Sequence, residues 1–133
     1  MLKDIKFDKL NDVAIAMVPE TNESSNIWYT YIINLKDSSI NNILINSKGY
    51  GNIENEKRTT SILRHFIESL EGQSYSKIEP ISPELLNFTH EFWVSFQYNG
   101  QMYDKKYIFL PGTINETYLV DLPILNLKGV LIV

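Results

Sequence analysis

"EFWVSFQYNGQMYDKKYIFL", residues 91–110, decides how this chain folds. In 91–98, Phe92, Val94, Phe96 and Tyr98 alternate with Trp93, Ser95 and Gln97. That period of two is the pattern of a strand with one buried face. Residues 101–110 form a second run of the same kind, and Asn99-Gly100 separates the two. A two-residue type I′ turn needs positive φ at both positions, which makes Asn-Gly a strong hairpin signal. With a turn of that length, register follows by counting. Phe96 faces Tyr103, Phe92 faces Tyr107, Val94 faces Lys105 and Trp93 faces Lys106. One face is aromatic and inward; on the other, a lysine stem lies along a half-exposed Trp93 ring.

Working outward, the same kind of run recurs. "VAIAMV" (13–18), "IWYTYIINL" (27–35), "NNILINSK" (41–48) and "QSYSKIEPI" (73–81) are rich in β-branched and aromatic residues. Polar, turn-forming stretches punctuate them, including "PETNESSN" (19–26), read as a loop. "SPELLN" (82–87) reads as one short helix, with Ser82 as cap and Pro83 in its first turn. "TSILRHFIESLEG" (60–72) has two readings. Ile62, Leu63, Phe66, Ile67 and Leu70 fall at helical spacing between a Thr or Ser cap and Gly72, whereas as a strand both faces are partly apolar. The closing "LNLKGVLIV" ends on four apolar residues and reads as a final strand, or an edge strand covered by another copy. Several short strands with regular turn signals predict a β-sandwich or small barrel, one domain spanning 1–133.

Composition excludes several chemistries. The 133 residues contain no cysteine, which removes thiol nucleophiles, thiolate metal sites and disulfides. A net charge of −4 argues against sequence-independent nucleic-acid binding. No apolar stretch approaches the length of a membrane span. At the N-terminus, Lys3, Lys6 and Lys9 suggest the start of a signal peptide, but Asp4, Asp8 and Asp12 interrupt them. The expected location is the cytoplasm. The sequons at Asn22, Asn87 and Asn115 carry no meaning there.

"NSKGYG" (46–51) has neither the lysine position of a P-loop nor the third glycine of a dinucleotide-binding turn. It reads as a turn or bulge ending a strand, with Lys48 and Tyr50 as ligand candidates beside Arg64. His65 and His90 are the only histidines and show no metal-ligand spacing; no metal or cofactor is expected. No G-x-S-x-G elbow marks a nucleophile. Asp104, Lys105 and Lys106 form a candidate ion-pairing strip. Arg64, Lys77 and Glu79 are candidate cross-strand partners. Ten aromatic residues (Trp28, Tyr29, Tyr31, Phe92, Trp93, Phe96, Tyr98, Tyr103, Tyr107 and Phe109) sit on three strands. A sandwich this small cannot bury them all, and surface Trp and Tyr mark interaction faces. Trp28 and Trp93 are the leading candidates.

The stretches "VAIAMVPE" (13–20), "WYTYIINL" (28–35), "ILINSKGYG" (43–51), "LRHF" (63–66), "SYSKIEP" (74–80), "WVSFQYNGQMYDKKYIFLPG" (93–112) and "LKGVLIV" (127–133) resemble a family of small uncharacterised bacterial proteins. Some members carry a phenylalanyl-tRNA synthetase label, which nothing in these residues supports. The order of elements is also similar to that of immunoglobulin-like bacterial sandwiches. That resemblance implies strands around 60–80, tipping the ambiguous segment toward strand. The expectation is therefore an all-β, immunoglobulin-like β-sandwich with one short helix. Its expected role is a non-catalytic protein-interaction or assembly module that docks a protein partner or a second copy. A small-ligand-binding sandwich is the alternative, with an enzyme third.

Overall fold

The computed structural model describes residues 12–22 and 25–133. Lys3, Lys6, Lys9, Asp4 and Asp8, read above against a signal peptide, lie outside those residues. Among the described residues ten strands run in order: β1 (Val13–Asn22), β2 (Ser25–Asn34), β3 (Ile40–Ile53), β4 (Glu56–Thr59), β5 (Leu63–Leu70), β6 (Ser74–Ile81), β7 (Thr89–Tyr98), β8 (Gln101–Phe109), β9 (Val120–Asp121) and β10 (Lys128–Ile132). They form two antiparallel sheets packed face to face, an all-β sandwich. The first sheet has the order β6-β2-β1-β10-β9. In the second, β3 pairs with β7 and β7 with β8, while β4 and β5 lie one after the other along the far edge of β3.

The deciding hairpin folds as its alternation dictates. Tyr98 pairs with Gln101 around Asn99 and Gly100, both at positive φ. Phe92 then faces Tyr107, Val94 Lys105, Phe96 Tyr103, and Trp93 Lys106. Inward, Phe92, Val94, Phe96, Tyr107 and Phe109 meet Val13, Ile15, Met17, Trp28 and Ile32 of the first sheet. The Tyr107 hydroxyl donates to the Val13 carbonyl at 2.5 Å, tying the sheets together. Burial pushes that phenol well above the ordinary tyrosine range.

"VAIAMV" does not alternate because β1 is buried on both sides. Val13, Ile15 and Met17 face the central core. Ala14, Ala16 and Val18 face a second apolar cluster on the opposite side, closed by Leu122 and Leu125. The C-terminal segment therefore covers the first sheet's outer face. β10 lies between β1 and β9, so it is an interior strand rather than an edge awaiting a partner.

Three expectations are corrected, and the ambiguous segment 60–72 is resolved toward strand, as the resemblance implied. "NSKGYG" is not a turn; it lies within the 14-residue β3. Its glycines instead admit close neighbours: a Cβ on Gly51 would meet the Phe88 ring at 2.8 Å, and one on Gly49 would meet His90 at 3.2 Å. The turn comes at Glu54-Asn55, both at positive φ, as a two-residue hairpin turn requires. Residues 63–70 are strand, with 60–62 an irregular link. The free edge of β3 supplies a ladder there, which overrides helical spacing. "SPELLN" yields one 3-10 turn, Pro83–Leu85, without a side-chain bond from Ser82; a second turn occurs at Glu116–Tyr118. Most of 19–26 is strand rather than loop, since β1 runs to Asn22 and β2 begins at Ser25. Residues 23–24 lie outside the described residues.

Candidate functional site on the open face of the second sheet

Strand pairing places side chains from four strands in rows across the second sheet. One row runs Arg64 (β5), Asn46 (β3), Trp93 (β7), Lys106 (β8). Asn46 and Trp93 alternate with buried inward neighbours, and cross-strand pairing carries the same side to Arg64 and Lys106, so these side chains stand on the outer face. On one side of this row lie Lys48, Glu91 and Ile108. On the other lie Phe66, Leu44, Ser95 and Asp104. Phe66 is 64% exposed, Trp93 48% and Leu44 39%, and Ile62 and Met102 are also exposed.

A groove of about 200 Å³ opens on this face between Lys48, Ile62, Arg64, Glu91, Trp93 and Lys106. The Lys106 ammonium lies 5.0 Å from the Trp93 ring centre and 3.8 Å from the Glu91 carboxylate. The Tyr50 hydroxyl donates to the other Glu91 oxygen at 2.5 Å, and this bond, more than burial, raises the phenol above its ordinary range. Lys48 lies 5.8 Å from the Tyr50 ring centre. Arg64 has no ion-pair or hydrogen-bond partner among the described residues. Asn46 also lines the groove, and its Oδ1 is buried without a hydrogen-bond partner among them.

The structure therefore joins two groups of candidates that sequence kept apart. Lys48, Arg64, Trp93 and Lys106 share one groove, with Tyr50 attached through Glu91. Others do not belong. Trp28 is 3% exposed and packs in the central core, because β2 turns Trp28 and Ile32 inward toward the second sheet. The strip Asp104–Lys106 divides as a strand must. Asp104 and Lys106 stand outward. Lys105 follows Val94 and Tyr107 to the other side, its ammonium 5.2 Å from the Tyr107 ring centre. Sequence reasoning missed Glu91, Ile62, Leu44 and Phe66 as parts of this face. The signal for Phe66 was present in "LRHF", but only strand geometry turns it outward.

A second polar cluster lies between the sheets at one edge. The Ser47 hydroxyl donates its one proton to the Glu79 carboxylate of β6, lying 2.8 and 3.1 Å from its two oxygens, and Glu79 also sits 2.6 Å from His65 Nε2. Arg64, Lys77 and Glu79 thus do not pair as expected. Glu79 goes to His65, and Lys77 goes to Glu20 at 2.7 Å. A cavity of about 150 Å³ adjoins Ser47, Glu79, Leu85, His90 and Phe92. His90 Nε2 lies 2.7 Å from the Leu85 carbonyl oxygen. Ser47 donates to the carboxylate and not to an imidazole, so the order hydroxyl–imidazole–carboxylate of a catalytic triad is not formed. The cluster fastens the edges of the two sheets.

Among the described residues, no helix is long and apolar enough to cross a membrane, and no three His, Asp or Glu side chains converge on a metal-sized point. Comparisons with protein-family models, with curated proteins and with solved structures find no match to this chain.

Proposed function

We propose that this protein is a non-catalytic interaction module of immunoglobulin-like type that docks a protein partner on the outer face of its second sheet. One observation carries the reading: Phe66, Trp93, Leu44 and Ile62 stand exposed together around a charged groove. Exposed apolar groups of this kind, rimmed by polar residues, mark interaction sites, and aromatic and arginine side chains dominate their energetics. The strand order supports the fold assignment. β1-β2-β6 facing β4/β5-β3-β7-β8 corresponds to A-B-E facing C′-C-F-G in such sandwiches, with β9 and β10 added beyond the first strand. Cytoplasmic residence belongs to the same proposal.

The test is photo-crosslinking in cells of the native source. A benzophenone side chain replaces Phe66, and in a control Tyr75, which is exposed on β6 of the other sheet. The expected result is a discrete adduct from position 66 that Trp93→Ala removes and that position 75 does not give. Equal adducts from both positions, or none from 66, would remove this face as the docking surface. Light scattering over a wide concentration range tells whether the adduct is a second copy.

A further inference from the structure

The row Arg64–Asn46–Trp93–Lys106 has a spacing and a charge pattern that define the chemistry of an occupant. Resting on the docking reading above, we propose that the groove binds an extended peptide segment of a partner, of the form acidic–x–apolar–x–acidic. The argument is one of charge and distance. Among the described residues the groove holds three cations, Lys48, Arg64 and Lys106, against the single carboxylate of Glu91, in a chain whose net charge is −4. Arg64 is unpaired among the described residues, and the Lys106 contact to Glu91 is long, at 3.8 Å. Both are therefore open to new carboxylates, and a guanidinium fits one bidentately.

Arg64 and Lys106 stand three strand spacings apart, from β5 through β3 and β7 to β8. At about 4.8 Å per spacing, that is roughly 14 Å. An extended chain rises about 3.3 Å per residue, so about four residues cover this distance. Residues i and i+4 of an extended segment point the same way, and so does i+2. Acidic side chains at the two ends then reach Arg64 and Lys106. The side chain midway falls between Asn46 and Trp93, where the exposed indole offers an apolar platform. Lys48 and Ile62 flank the path.

A nucleic-acid strand fits less well. It presents a phosphate at every nucleotide, whereas the two middle positions of the row carry no cation. A second copy docked groove to groove would bring these cations together, which disfavours the symmetric arrangement.

The experiment uses the full chain labelled with nitrogen-15 and three capped heptapeptides built on Glu-Ser-Leu-Ser-Glu, Lys-Ser-Leu-Ser-Lys and Glu-Glu-Ser-Leu-Ser. The first should bind saturably, shifting the Trp93 indole N–H and the amides of Asn46 and Arg64. Arg64→Glu should weaken it by roughly tenfold or more, and raising salt should weaken it as well. The lysine peptide should not bind, and the peptide with adjacent acids should bind more weakly. Arg64→Glu is an exposed change, and its amide spectrum reports whether the fold is kept. Equal binding of the first and third peptides, no effect of Arg64→Glu, or no saturable shift with the first would each overturn the motif. So would tighter binding of a 12-nucleotide single strand at these residues. If crosslinking at position 66 succeeds while the peptide fails, the face docks a partner of different chemistry. If both fail, the docking reading falls with the motif.

Discussion

The outer faces of the two sheets end in opposite conditions. The first sheet's outer face carries Ala14, Ala16, Val18, Tyr31 and Ile33, buried in a cluster that the chain itself closes with Leu122 and Leu125. The second sheet's outer face carries Leu44, Phe66 and Trp93 and leaves them exposed. After β8 the chain crosses to the first sheet and stays there through β9 and β10. The closing segment fits closely: a Cβ on Gly129 would meet Leu122 at 2.8 Å. It is also held at a conformational cost. Ile124 sits at φ 74, where a β-branched residue is strained by about 1–3 kcal/mol. A chain that accepts strain to cover apolar groups on one sheet, yet leaves Leu44, Phe66 and Trp93 bare on the other, uses the two faces differently.

The largest effect should come from the closed face. Leu122→Ser removes a buried side chain and leaves a hydroxyl beneath the segment. It should cost about 3 kcal/mol of unfolding free energy, read by urea titration. A loss below about 1 kcal/mol would mean that the segment merely rests on the sheet, and the contrast between the faces would collapse.

Legibility follows the same division. Strands covered on one face alternate, so the 91–110 hairpin could be read to the residue, including Lys106 on Trp93. Strands covered on both faces do not alternate. Nothing in "IWYTYIINL" tells that Trp28 points to the central core while Tyr31 joins the second cluster, and Trp28 was misplaced for that reason. β5 was ambiguous because its apolar residues serve two surfaces. Ile67 and Leu70 pack inward, whereas Phe66 faces out. That arrangement resembles helical spacing when read without the β3 ladder. The glycines of "NSKGYG" suggested a turn because the close neighbours that explain them, Phe88 and His90, come about 40 residues later. Of the groove, the individual residues could be nominated, but their convergence depends on register between strands distant in sequence.

A smaller effect belongs to the inner side of the open sheet. Burial holds the His90 imidazole below its ordinary pKa, against the opposing pull of the Leu85 carbonyl and the Glu79 charge. The folded state thus binds a proton less readily than the unfolded one. His90 therefore contributes full stability above the unfolded value, about pH 6.5, and this contribution is lost as pH falls toward the lower folded value. Urea unfolding at pH 7.5 and 5.5 should show wild type losing more stability on acidification than His90→Gln. An identical loss in the two proteins would mean that His90 is not desolvated. The interior of the open sheet would then be as wet as its outer face.

The smallest effect sharpens the comparison most. Phe66→Ser makes the same kind of change as Leu122→Ser, an apolar side chain to a hydroxyl, but on the open face. Phe66 is 64% exposed, so the fold gains little from its burial. Its opposite neighbour on β3 is Leu44, itself exposed, and such a cross-strand pair contributes only tenths of a kcal/mol up to about 1. Stability should therefore change by less than about 1 kcal/mol, with the urea midpoint close to wild type. A loss approaching that of Leu122→Ser would show that Phe66 packs into the fold and is not held ready for a partner. A near-silent result on stability, together with loss of an adduct from a benzophenone placed instead at position 93, would separate folding from docking. The closed face would then serve the first and the open face the second.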